Sequence, residues 1–204
     1  NVTDDSNSNL FAYVFQLDTP TASAAFQSSP IITHQLNYNR GTPNSGSSYT
    51  GQDRWYPWSK SAYDFFGIAR PSPMLTDIDF TDRGDIMLAF TDRFGHQYGH
   101  QNYRFLGNPG YSDLVTAQVA GDLIIAGINC STNTFTMESN GSFTSNGQSL
   151  SGGTANGQGP GNGEFFNGEN QNTTHTETSQ VAIGVLFGQA QVMLTNMNPT
   201  TSIF

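Results

Sequence analysis

Apolar and polar positions alternate most regularly between Met74 and Asp92. Ile78 and Phe80 share one face of an extended segment, and Ile86, Leu88 and Phe90 share one face of the next, because strand side chains alternate with a period of two. Asp82-Arg83-Gly84-Asp85 stands between them as a tight turn, with Gly84 free to take a positive φ. The pattern predicts a hairpin over 74–92 with a core face too small to be stable alone, since isolated two-stranded ribbons are marginal in water. Three further units follow the same plan. Leu10–Leu17 pairs with Pro30–Leu36 across a wide loop, Leu123-Ile124-Ile125-Ala126-Gly127 pairs with Asn133–Met137, and Val181–Phe187 pairs with Gln191–Thr195 around Gly188. The units, near 10–36, 74–92, 114–137 and 181–195, recur at roughly 45 to 60 residues, the spacing at which propeller blades are expected. Residues 37–63 and 97–111 read as connectors, with a short helix over Ser59–Phe66, and 140–172 as a long Gly/Asn/Ser-rich loop. The expected fold is all-β: one β-propeller-like array of antiparallel hairpins with long loops over 1–204.

Composition narrows the partners. Apolar residues make up 35% of the 204 residues, below the usual ~45–50% even when glycine is counted apart, so the core is thin and is carried by large rings. The chain holds 15 Phe, 8 Tyr and 2 Trp, and each buries a large area. Lys60 is the sole lysine, and 7 basic against 16 acidic residues leave a formal charge of −9. Nucleic acid is excluded as a partner, because too few cations exist to displace its counterions. Cations, neutral glycans and other proteins remain open. Cys130 is the single cysteine, so no disulfide forms within the chain, and no apolar run reaches the ~18–20 residues that span a bilayer. Asn/Ser/Thr/Gly richness with scarce lysine suits an extracellular location.

The order of several motifs carries a resemblance. Asp4-Asp5-Ser6 precedes Leu10-Phe11-Ala12-Tyr13-Val14-Phe15, then Leu36-Asn37-Tyr38-Asn39-Arg40-Gly41, Trp55-Tyr56-Pro57-Trp58, and the main hairpin through Thr91-Asp92-Arg93-Phe94-Gly95. Gly99–Tyr103, Ala120-Gly121-Asp122-Leu123, Glu138-Ser139-Asn140-Gly141, the run Asn156–Phe166 and His175-Thr176-Glu177-Thr178-Ser179 follow. In this order the chain resembles the propeller-like region of large secreted bacterial surface proteins that carry SdrD B-like domains. The likeness spans nearly the whole chain, and Gln158-Gly159-Pro160-Gly161-Asn162-Gly163-Glu164-Phe165-Phe166 with the later His-x-Glu-Thr is its most specific part. His96 departs from the family, where an acidic or other polar residue is more usual. The resemblance implies a fragment, with blades before Asn1 and after Phe204, and a non-catalytic structural or adhesive role at the cell surface. It carries no catalytic residue. Exposed strand edges in an open run of blades invite pairing with neighbouring domains or with copies of the chain, in a fibre or surface layer.

Candidate chemistry sits in loops, and each candidate has a plainer reading. Asp4-Asp5-Ser6-Asn7 gathers the oxygen ligands that calcium takes, although the spacing of an EF-hand is absent and a solvated turn uses the same residues. Asp79, Asp82, Asp85 and Asp92 are open to the same two readings. His96, His100 and His175 with Glu177 have the types but not the spacing of a zinc site. Asp92, Glu164 and Glu177 could serve as paired acids for glycoside chemistry, the enzyme alternative to a non-catalytic module, beside a calcium-dependent glycan binder. Trp55, Tyr56 and Trp58 read equally as a platform for sugar or partner and as core. Asn1, Asn129, Asn140 and Asn172 begin Asn-x-Ser/Thr sequons.

Overall fold

The computed structural model describes residues 10–17, 25–41, 54–57, 71–94, 102–103, 114–115, 121–166, 183–185 and 192–194. Its elements are β1 (Phe11–Val14), β2 (Ile32–Gln35), β3 (Pro73–Phe80), β4 (Ile86–Asp92), β5 (Asn102–Tyr103), β6 (Leu114–Val115), β7 (Asp122–Asn129), β8 (Thr134–Met137), β9 (Ser142–Ser145), β10 (Gln148–Ser151), a 3-10 turn at Pro160–Asn162, β11 (Ile183–Val185) and β12 (Val192–Leu194). All pairings are antiparallel: a four-stranded sheet in the order β3-β4-β7-β8, and ribbons β1-β2, β5-β6, β9-β10 and β11-β12. The protein is all-β. No sheet among the described strands closes on itself; the expected unit 74–92 and the 122–137 part of the unit 114–137 are joined edge to edge into the single main sheet, while Leu114–Val115 pairs with β5 instead.

The two central strands of the main sheet, β4 and β7, are buried on both faces over most of their length, and this sets the architecture. Ile86, Leu88 and Phe90 of β4 stand opposite Ala126, Ile124 and Asp122 of β7, while Met87 and Ala89 stand opposite Ile125 and Leu123. Opposed residues share a face, so the two strands put apolar side chains on both sides. On the first side Ile86, Leu88, Phe90, Ile124 and Ala126 pack with Leu10, Ala12, Val14, Ile32, Leu36, Tyr38 and Trp55, which come from the β1-β2 ribbon and the chain beyond it. On the second side Met87, Ala89, Leu123 and Ile125 pack with Phe143, and Leu150, Phe165 and Phe166 join them from the β9-β10 ribbon and the loop after it. The result is three layers, ribbon on sheet on ribbon, with β4 wholly buried along its seven residues. A strand covered on both faces needs a continuous apolar run, and Ile86-Met87-Leu88-Ala89-Phe90 supplies it.

Two expectations are corrected. Ile78 and Phe80 lie on the same side as Leu88 and Ile86, their register partners, yet stay 38% and 55% exposed, because β3 is an edge strand and the covering ribbon does not reach its far end. Residues 140–172 are not one open loop over their described part. Asn146-Gly147, with φ of 48° and 80°, makes the left-handed turn that joins β9 to β10, and 152–166 folds back through Thr154 N–H to Glu164 O (2.9 Å) and Glu164 N–H to Thr154 O (3.1 Å). Asn-Gly is the strongest short hairpin signal, and the surrounding Gly/Ser composition masks it.

The turn at 81–85 also does more than connect. Asp85 accepts the Thr81 hydroxyl on one oxygen (3.0 Å) and the Ile128 N–H on the other (3.0 Å), tying the β3-β4 turn to β7. The short helix expected at Ser59–Phe66 lies outside the described residues. Among the described residues no helix is long and apolar enough to cross a membrane.

The second layer sits close because Gly127 of β7 has no side chain. A Cβ there would lie 2.0 Å from the Thr144 carbonyl oxygen and 2.8 Å from the Phe143 ring. Gly127→Ala is expected to force β9 off the sheet and to lower stability by about 1–3 kcal/mol, as overpacking does. Gly147→Ala meets nothing within 4 Å and is expected to lose only the cost of its positive φ, roughly 1 kcal/mol. Urea denaturation of both variants checks the ranking, and equal losses would contradict the close-packed second layer.

Candidate functional site

The two covering layers meet at one end of the main sheet, and there the chain buries an unusual amount of charge. The Tyr38 hydroxyl donates to Asp122 Oδ2, and the Trp55 indole N–H donates to the Tyr38 oxygen at 3.3 Å. Arg40 lies over the Trp55 ring, 4.6 Å from its centroid, in a cation–π contact. From the other side Glu138, just after β8, accepts the Ile125 N–H at 3.2 Å and the Phe165 N–H at 2.6 Å. Glu164 accepts the Asn156 amide at 2.8 Å, and the Gly159 N–H donates to Asn39 O at 2.6 Å, so the 152–166 loop reaches the segment that carries Tyr38 and Arg40.

Arg40, Asp92, Asp122, Glu138 and Glu164 are all buried at this end, one cation against four carboxyls. Burial shifts protonation. Burial raises Glu138 to about 8, with the charges of Asp122 and Glu164 adding to it and the two amide hydrogen bonds opposing it. Burial first, then Asp122, raises the Tyr38 hydroxyl well above its ordinary value, which keeps it a donor. His34 points inward from β2, its ring 5.7 Å from that of Tyr38, and burial lowers it to about 4.

A carboxyl held protonated near neutrality can serve as a general acid, but it must reach a substrate. Glu138 is 2% exposed and both its oxygens hold backbone amides. The seam therefore acts as a clamp that fixes the two layers to the sheet end.

The outer surface of the first layer is the opposite case. Leu10, Ala12 and Val14 face inward, so alternation turns Phe11, Tyr13 and Phe15 outward at 40%, 50% and 44% exposure. Phe11 and Tyr13 have ring centroids 6.0 Å apart with planes 24° from parallel, and Tyr13 and Phe15 lie 6.5 Å apart. Leu17 and Phe26, joined by an isolated bridge, extend the stripe at 40% and 69% exposure. Five of the seven exposed large apolar side chains of the described residues thus fall on one ribbon.

The residues singled out from sequence scatter differently. Trp55 is fully buried against Phe90, 6.1 Å between centroids, which removes its ring from any ligand at the surface; Tyr56 is half-buried and its N–H donates to Pro71 O. Trp58, Asp4, Asp5, Asn1, Asn172, His96, His100, His175 and Glu177 lie outside the described residues. Asn129 is exposed, its side-chain oxygen accepting the Ser131 N–H at 3.0 Å, and Asn140 is exposed at φ 53° with its N–H on Pro160 O. Cys130 is exposed in the β7–β8 turn.

Asp92 is buried and accepts the Ser72 and Phe94 amides, both at 2.9 Å. Asp77 and Asp79 each cap the next residue's N–H. No group of three or more His, Cys, Asp or Glu suited to a metal occurs among the described residues. Sequence reasoning missed the Phe11-Tyr13-Phe15 stripe as a surface, because three aromatics in a strand read first as core. The available signal was apolar side chains on both faces, rings at 11, 13 and 15 alternating with Ala12 and Val14, more than one core face needs.

Comparison with protein-family models, curated proteins and solved structures finds no match.

Tyr38→Phe removes the buried hydroxyl that donates to Asp122 and accepts the Trp55 N–H, and is expected to cost about 1–3 kcal/mol in urea denaturation; an unchanged midpoint would show that the seam does not clamp the layers. Glu138 predicts a pH dependence. Its folded value lies above the unfolded 4.5, so its contribution to stability is complete below pH 4.5 and is lost as pH rises through about 8. The melting temperature of the wild type should fall over that window relative to Glu138→Gln, and a pH-independent difference would refute the shift. His34 works on the acid side: its folded value of about 4 lies below the unfolded 6.5, so stability present above pH 6.5 is lost as pH falls through 4.

Proposed function

We propose that this chain is a non-catalytic extracellular module of a large bacterial surface protein, with a structural or adhesive role. The observation that carries the reading is the exposed ladder Phe11-Tyr13-Phe15, large apolar surface kept in water on a ribbon whose inner face is well packed. An enzyme would spend its acids on a substrate, whereas the buried carboxylates Asp85, Asp92 and Glu138 each accept backbone amides. The sequence resemblance supports the propeller-like arrangement. A four-stranded antiparallel sheet has the make-up of one blade, and ribbons stacked on both its faces are what neighbouring blades would contribute.

The alternative is a glycan binder, which the same ladder favours, since aromatic rings offer apolar faces to sugars. On that reading the contact moves from Trp55 to Phe11, Tyr13 and Phe15, and calcium would act through Asp4 and Asp5.

Beads coated with the chain test the role. The proposal predicts clustering of the beads or their attachment to bacterial cells, insensitive to removal of calcium, with no release of reducing sugar from neutral polysaccharides. Sugar release at a sustained rate, or beads inert toward both themselves and cells, would sink it.

A further inference from the structure

We infer that the outer face of the β1-β2 ribbon is a docking surface for a second copy of this chain, the two ladders meeting face to face. The inference rests on the structural or adhesive reading above and names the partner.

Charge makes the first argument. Two copies of a chain with formal charge −9 repel, so they can meet only where charge has been withdrawn. Phe11, Tyr13, Phe15, Leu17 and Phe26 carry none, and neither do Gln35 and Thr33, the register partners of Phe11 and Tyr13 and thus on the same outer face. Among the described residues of this face a charged partner would find no charge to recognise.

Spacing makes the second. The ring separations of 6.0 and 6.5 Å follow the two-residue repeat of an extended strand, about 6.4–6.8 Å. A second ladder has the same repeat, so its rings can settle between these along the whole stripe, as side chains interdigitate between facing sheets. The same patch on both molecules gives a closed two-fold contact.

Area makes the third. Taking about 200 Å² for a fully exposed aromatic, the fractional exposures leave roughly 400–500 Å² of apolar surface on each copy. Two copies bury near 900 Å² between them, just under the ~1,000–1,200 Å² at which specific interfaces begin. The expected dimer is therefore weak for the isolated chain, and tandem copies or a crowded surface would strengthen it through effective concentration.

Sedimentation velocity on the full chain, from low micromolar to high micromolar, is the test. The wild type should shift reversibly from monomer to dimer, and Tyr13→Thr with Phe15→Thr should weaken association about tenfold or more. Both positions are exposed and threonine suits a strand, so the melting temperature should hold. Should the double variant fail to fold, hydroxyl-radical footprinting of the wild type gives the same answer: oxidation of Phe11, Tyr13 and Phe15 should drop as concentration rises.

A chain monomeric throughout, or one whose dimer ignores the double substitution and leaves the rings equally oxidised, overturns the inference. A monomer that binds a neutral polysaccharide through the same rings also overturns it, and hands the surface to the glycan. The bead experiment separates this from the broader role. Dimers through the ladder on beads that never attach to bacterial cells uphold the docking surface and defeat the adhesive reading, whereas attachment to cells by a strictly monomeric chain does the reverse.

Discussion

Burial of β4 and β7 on both faces is the constraint from which the rest of the structure follows. An antiparallel strand in a small protein usually keeps one face in water. Here Met87 and Ala89 are as buried as Leu88 and Phe90, so the sheet must be covered twice. Short ribbons do the covering, because each needs only one apolar face and can give its other face to solvent. The β1-β2 ribbon spends its outer face on exposed rings, and the β9-β10 ribbon spends its own on Ser and Thr. Gly127 lets the second ribbon approach the sheet backbone, and the turn held by Asp85 locks the sheet's own register.

Covering a sheet from both sides leaves an open end where the layers must be tied together. The chain closes that end with polar groups. Tyr38, Trp55 and Arg40 come from the first layer, Asp122 and Glu138 from the sheet, and Glu164 from the second layer. Apolar packing has no direction, whereas these hydrogen bonds fix the segment 36–41 and the loop 152–166 at set positions. The cost is an excess of buried acid, met in part by keeping Glu138 protonated. A seam of this kind gives register and closure, with Glu138 turned toward backbone amides and Asp122 and Glu164 toward side-chain donors.

Much of the fold could be read from the residues. The hairpins 10–36 and 74–92, the pairing of β7 with β8 through 126–129 and 134–137, and the strands Ile183–Val185 and Val192–Leu194 have the alternation and turns that predict them. The merging of two units into one sheet was not legible, because strand pairing beyond a turn depends on which surfaces remain unburied after local structure forms. Its trace was the unbroken run at 86–90, which a two-residue period reads as one-sided. The 142–151 hairpin was hidden by composition. The seam was least legible, since Tyr38, Asp122, Glu138 and Glu164 are up to 126 positions apart and each has an ordinary local role. Trp55 read equally as a platform and as core, and the core reading holds, its indole N–H satisfied inside the protein by Tyr38.

The central claim is that a doubly covered pair of strands holds the molecule together. Native-state hydrogen exchange tests it most directly, resolved by residue over the main sheet and the two ribbons. The account predicts that amides of β4 and of 124–126 in β7 exchange only through global unfolding, while those of β1, β2, β9 and β10 open at lower free energy. If β4 exchanges as readily as the ribbons, or if β3 proves the slowest strand, the sheet is not buried on both faces and the three-layer account is wrong.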